Sequence, residues 1–253
     1  MSKKEQVSAL SKNALIYSSG EVFVKVVGFL LLPLYTRLLS VAEYGTWAVA
    51  QTVQTLITIV AALGLSNALS RLYYDNQCGE EKARYTATVF WAVTAVSIMV
   101  ASALLAFHAQ LRGVFGDAEG ASTLLILLIC SSVPTLVFGT CMSFSQIMIR
   151  PVLCSAATIL YSIIVHPVSI VLVRQHYGIS GIIIANIIAA VVTAGFILVQ
   201  MAPSVRVAQV DVALMRPLLK SGIPLMFISL TAWVMDSSDR FFLNHFVSAA
   251  EAG

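Results

Sequence analysis

Seven stretches of this chain are almost wholly apolar, and the polar residues gather in short clusters between them. The apolar windows run roughly over 13–35, 44–65, 87–107, 121–146, 154–173, 179–201 and 221–243. A helix needs about 20 such residues to cross about 30 Å of hydrocarbon at 1.5 Å per residue. The longest connectors, 66–86 and 202–220, lack strand periodicity and the bulk of a folded extramembrane domain. The pattern therefore predicts an all-α, polytopic membrane bundle. Residues 1–12, with Lys3, Lys4 and Lys12, read as a polar leader too unlike a signal peptide to be cleaved. Arg71, Asp75, Glu80, Glu81, Lys82 and Arg84 read as a mixed, solvated loop on the leader's side.

Charge sharpens the topology. Ten basic residues fall in the leader and the connectors on its side, against Arg37, Arg112, Arg174 and Arg240 on the other. The positive-inside rule then places the N-terminus in the cytoplasm and Gly253 outside. A shift of 208 residues lays Lys12 on Lys220, Ser40 on Ser248, Ala42 on Ala250, Glu43 on Glu251 and Gly45 on Gly253. An even number of spans separates the copies, which implies a parallel repeat. The expected organisation is a six-helix lobe over 13–201, a cytoplasmic linker over 202–220, and the first helix of a second lobe over 221–253.

Composition agrees: 58% of residues are hydrophobic and 11% charged, with mean hydropathy +0.89. A soluble domain carries about 25% charged residues. The four cysteines show no CxxC spacing; three of them, Cys130, Cys141 and Cys154, lie in apolar runs and read as small core residues. No nucleotide loop or metal-ligand spacing is visible, so neither cofactor, metal nor nucleic acid is expected, and enzymatic chemistry is not.

The block Leu30-Leu-Leu-Pro-Leu-Tyr-Thr-Arg-Leu-Leu-Ser-Val-Ala-Glu-Tyr-Gly45 is followed by Ala61-Ala-Leu-Gly-Leu-Ser-Asn-Ala-Leu-Ser-Arg-Leu-Tyr-Tyr-Asp75 and Asp239-Arg-Phe-Phe-Leu-Asn-His-Phe246. In this order the three blocks resemble the polysaccharide-biosynthesis flippases, the O-antigen and capsule repeat-unit translocases of the multidrug/oligosaccharidyl-lipid/polysaccharide exporter superfamily. The resemblance implies a MATE-like fold of two lobes around a central cavity, of which this chain holds the first and one helix of the second. It implies a bacterial inner-membrane protein, not an enzyme, that moves a lipid-diphosphate-linked oligosaccharide by alternating access. A polysaccharide polymerase and other assembly proteins are the implied partners, beside membrane lipid. A cation-coupled drug exporter, a peptidoglycan-precursor flippase, and a non-transporting subunit or enzyme of polymer assembly are the alternatives.

Glu21 and Lys25 lie roughly 12 and 18 Å into the first span, counted at 1.5 Å per residue, where charge is expensive. Their i,i+4 order favours a helical pair. They either neutralise each other in packing or turn to an aqueous cavity, where Lys25 would draw a diphosphate. The cavity is preferred, because apolar residues fill a packing role more cheaply. Asp236 and Arg240 repeat the spacing in the seventh span, with Asp239 beside them. Gln51, Gln54 and Asn186 either line the cavity or bond between helices. Glu21, Asp236 and His166 are the candidates for ion coupling, although His166, before Pro167, reads more simply as a neutral ring on a carbonyl freed by the kink. Tyr35, Tyr44, Trp47, Trp91 and Tyr177, near span ends, read as interface anchors. Ala185 and Ala189 permit close helix approach.

Overall fold

The computed structural model describes residues 3–75, 79–111, 121–202, 206 and 210–246; the side chains at 3–10, 75, 109, 111, 121 and 238–246 are not described. Its helices are α1 (Lys3–Leu38), α2 (Val41–Ala62), α3 (Leu65–Asp75), α4 (Gly79–Ala106), α5 (His108–Leu111), α6 (Ala121–Ile147), α7 (Pro151–Leu172), α8 (Gly178–Met201) and α9 (Met215–Phe246).

Five helical stretches are long and apolar enough to cross a membrane alone, and α2 qualifies together with α3 as a pair bent by 47°. One of the five, Pro151–Met201, runs for 51 residues. As a single helix it would be about 75 Å long, more than twice the hydrocarbon core. It is instead a hairpin. Gln175 and His176 leave helical geometry, His176 at φ 67°, and Gly178 follows at φ 51°. α8 then returns along α7, so that Ala185 and Ala189 bury against Val165 and Tyr161 meets Asn186. The described residues thus supply seven crossings, one for each apolar window.

Local chemistry sets the turns. Ser40 caps α2: its Oγ accepts from Glu43 N at 3.2 Å, while Ser40 N donates to Glu43 Oε2 at 2.8 Å. This reciprocal box satisfies helix N-terminal donors that hydrocarbon would leave bare. It explains why the Ser-x-Ala-Glu turn has the residues it does.

Three expectations are corrected. The connector 66–86 is mostly helical. Leu65, Ala68 and Leu69 are buried at i, i+3 and i+4, and the exposed Arg71 and Ser70 occupy the opposite face. The charges had concealed an amphipathic helix. Helix α1 begins at Lys3, inside the stretch 1–12 expected as a polar leader. The span expected from 221 begins at Met215, after a 3-10 turn at Val212–Leu214 in which Asp211 Oδ1 accepts from Ala213 N at 2.9 Å. The second copy of the repeat, Ser248 to Gly253, lies outside the described residues.

Packing is tightest at the leader's end. There Leu65, Leu69, Val89, Val93, Phe144, Ile197, Met201 and Leu218 join α3, α4, α6, α8 and α9 in one buried cluster. α9 seats on the break between α2 and α3. Leu63 and Gly64 both have positive φ, 49° and 64°, and a Cβ on Gly64 would stand 2.1 Å from the carbonyl oxygen of Gly222. Small residues let membrane helices approach this closely, where no hydrophobic force between helices is available. Further along, Trp233 Nε1 donates to Thr52 O at 3.1 Å. Buried hydroxyls such as Ser132, Thr140 and Ser145 bond to carbonyls in their own helices, as an apolar interior requires. Cys141 and Cys154 are buried; Cys130 is exposed on α6, contrary to its reading as a core residue.

Candidate functional site

Away from that packed end, α1, α2, α7 and α8 stand apart around a cavity of about 300 Å³. α1 lines it with Val24, Gly28, Leu32 and Tyr35, a stripe at helical spacing that Leu39 continues just past the helix end. α2 supplies Tyr44, Trp47 and Gln51, and α8 supplies Ile182 and Asn186. α7 contributes Tyr161, Ser162, Val165, His166 and Ser169, a polar ribbon on an otherwise apolar helix. A second cavity of about 310 Å³ adjoins it, sharing Trp47, Gln51 and Asn186 and adding Gln54, Thr55, Ser131 and Thr135. Together they form one groove. It reaches from mid-helix depth to the end where α1 turns into α2.

Asn186 is the partition. Its Oδ1 accepts from Tyr161 Oη at 2.6 Å and its Nδ2 donates to Ile182 O at 2.8 Å. Phe138 of α6 stacks on the Tyr161 ring at 4.9 Å and 8°, which fixes where that hydroxyl points. Tyr35 Oη and His166 Nδ1 are 3.4 Å apart, a long contact across the cavity wall. The Gln54 amide lies 3.0 Å from Ser131 Oγ. Ser162 Oγ is buried with no hydrogen-bond partner among the described residues, so the wall keeps one polar atom unspent.

The residues singled out from sequence divide into two sets. Gln51, Gln54, Asn186 and His166 meet in the groove. Glu21 and Lys25 are exposed on α1, and among the described residues neither makes an ion pair. At 100° per residue they stand within about 60° of the stripe that lines the cavity. Lys25 directly follows Val24, the cavity's deepest α1 residue, while Glu21 borders a separate depression with Asn13, Tyr17 and Gln146. Asp236 is exposed on α9 and borders neither cavity of the groove. The side chains of Asp239 and Arg240 are outside the described residues.

Two readings change. His166 takes a tyrosine hydroxyl as neighbour, and among the described residues its ring makes no bond to a freed carbonyl. Tyr35, Tyr44 and Trp47 are groove walls, whereas Trp91 and Tyr177 are exposed. Proximity to a span end had suggested lipid headgroups for all five. The groove, however, itself extends to that end. Tyr161, Ser162 and Ser169 were missed altogether. Their spacing at i, i+1 and i+8 with His166 between them was the available signal.

The family model described as polysaccharide biosynthesis protein matches residues 10–253. The chain belongs to that family. Among curated relatives, the Lsg locus protein of Haemophilus influenzae is 33% identical over 110 residues, covering 41% of this chain and 27% of the relative. The succinoglycan biosynthesis transport protein ExoT of Rhizobium meliloti is 32% identical over 99 residues, covering 39% and 19%. These alignments cover about a quarter and a fifth of the relatives' lengths. A solved structure described only as protein A superposes with TM-score 0.70 at 15% identity, covering 99% of this chain and 59% of that one. The fold of this chain is therefore shared with that structure at low sequence identity.

Proposed function

We propose that the chain forms part of a membrane transporter for cell-surface polysaccharide biosynthesis, and that its groove receives the sugar of a lipid-diphosphate-linked repeat unit. One observation carries this reading: the groove's lining combines amides, hydroxyls, an imidazole and aromatic rings, with no carboxylate, lysine or arginine among its residues. Sugar hydroxyls pair with amides and hydroxyls, and apolar sugar faces lie against aromatic rings. A cationic drug would instead want a buried carboxylate, so the drug-exporter alternative is disfavoured. Lys25, beside the deep end of the groove, is the group to meet the diphosphate; it acts as a point charge and needs no angular fit. The lipid tail stays in the bilayer while a second lobe rocks against this one around the groove. Glu21, Asp236 and His166 remain the candidates for ion coupling, and the inner membrane with a cytoplasmic N-terminus is the setting. The succinoglycan relative, a biosynthesis transport protein, supports the same direction.

The test is polymer export in a strain lacking the chromosomal copy and complemented with the gene. Trp47→Ala combined with Asn186→Ala should lower surface polymer at least tenfold, with lipid-linked repeat units accumulating inside and unchanged protein abundance. Export at the wild-type level would remove the groove from the pathway. Lys25→Ala with unchanged export would remove the diphosphate role alone.

A further inference from the structure

At the leader's end, on the outer flank of the hairpin, α7 and α8 enclose a cleft of about 410 Å³ that no part of the proposed pathway uses. Its walls are Val152, Leu153 and Ala156 of α7 with Phe196 of α8. Arg150 and Gln200 close its polar end. Val152 is 67% and Phe196 36% exposed, so the cleft opens outward to where acyl chains would lie.

The polar end is electropositive for two reasons. Arg150 Nη1 donates to Gln200 O at 3.3 Å, which holds the guanidinium across the cleft mouth. A guanidinium has five N–H donors, and no further hydrogen bond or ion pair of this one exists among the described residues. Arg150 is also the cap of α7, with no side-chain cap bond and with Pro151 next in line. The first intrahelical bond is Cys154 N to Arg150 O, which leaves the N–H groups of Val152 and Leu153 to a ligand or to solvent.

We infer that this cleft binds an anionic phospholipid of the leaflet on the leader's side, its phosphate on Arg150 and an acyl chain along Val152, Ala156 and Phe196. Charge complementarity selects the occupant. A zwitterionic lipid carries its own ammonium to the same rim, where Arg150 repels it. A soluble phosphate would gain the guanidinium but leave the apolar walls uncovered. The site is independent of the sugar groove, which lies on the other side of α7 and toward the opposite membrane face.

Native mass spectrometry of the 253-residue chain, released from micelles with equal phosphatidylglycerol and phosphatidylcholine, tests this. One phosphatidylglycerol should be retained at least fivefold over phosphatidylcholine, undiminished by added inorganic phosphate. Arg150→Gln should abolish that preference, and Ala156→Leu, which fills the cleft and keeps the charge, should abolish retention of the tightly held copy. Arg216→Gln should change neither. Equal retention of the two lipids by the wild type would overturn the site, as would a preference that survives both cleft variants or falls equally with Arg216→Gln. Should Arg150→Gln fail to yield folded protein, the Ala156→Leu and wild-type measurements decide alone.

Discussion

Tyr161 illustrates how one side chain serves structure and function together. Its ring is clamped by Phe138 and its hydroxyl holds Asn186 between the two cavities. Tyr161→Phe removes one hydrogen bond and leaves the stack intact. A net cost of about 0.5–1.5 kcal/mol is expected in stability, read as a small fall in the unfolding temperature in detergent. Polymer export should fall further than stability does, because Asn186 is freed to swing into the groove. Ser40→Ala probes a purely structural residue by contrast. Loss of its cap should cost about 1 kcal/mol, with a lower melting temperature and export reduced only in proportion to protein abundance. A larger export defect for Ser40→Ala than for Tyr161→Phe would reverse the assignment of the two roles.

The α2–α3 break and α9 belong together at the scale of elements. α2 presents Trp47, Gln51 and Gln54 to the groove and gives the carbonyl of Thr52 to Trp233 on its other side. It is thus held between the cavity and α9. The hinge at Leu63–Gly64 is filled by Gly222, whose added Cβ would meet Leu63 O at 2.6 Å. Gly222→Ala should therefore overpack a backbone-to-backbone contact, with a loss of about 1–3 kcal/mol measurable by thermal unfolding. Gly28→Ala, with nothing within 4 Å of the new Cβ and a better helix former in mid-α1, should not lower stability. Equal melting temperatures for Gly222→Ala and wild type would mean that α9 does not seat on the break. Seven apolar windows were legible in the sequence because a span's length and hydropathy are local properties. α3 was not, since its charged face and its buried Leu65, Ala68 and Leu69 differ only in which way each looks. That direction depends on α4 and α9.

Across the whole molecule, the dense cluster lies at the leader's end and the groove opens toward the other. The proposed orientation therefore predicts access to the groove from outside the cell. In a cysteine-free background, Gln175→Cys in the α7–α8 turn should react with a membrane-impermeant maleimide applied to intact cells. Glu80→Cys, at the start of α4, should react only after the membrane is opened. The reverse pattern would invert the topology and move the electropositive cleft to the outer leaflet.

The linear order of residues determined by itself that the chain is helical and lives in a membrane, where its spans fall and, through three motif blocks, its family. Each of these depends on neighbours along the chain or on summed hydropathy, which folding does not alter. Tertiary structure decided which polar residues share a wall. Tyr35, Trp47, Tyr161, Ser162 and Asn186 come from four helices, and only the spread of α1, α2, α7 and α8 brings them together. It also left Glu21, Lys25 and Asp236 outside that wall: a charge within an apolar run is visible in the sequence, while the face a helix presents is settled by what packs against it.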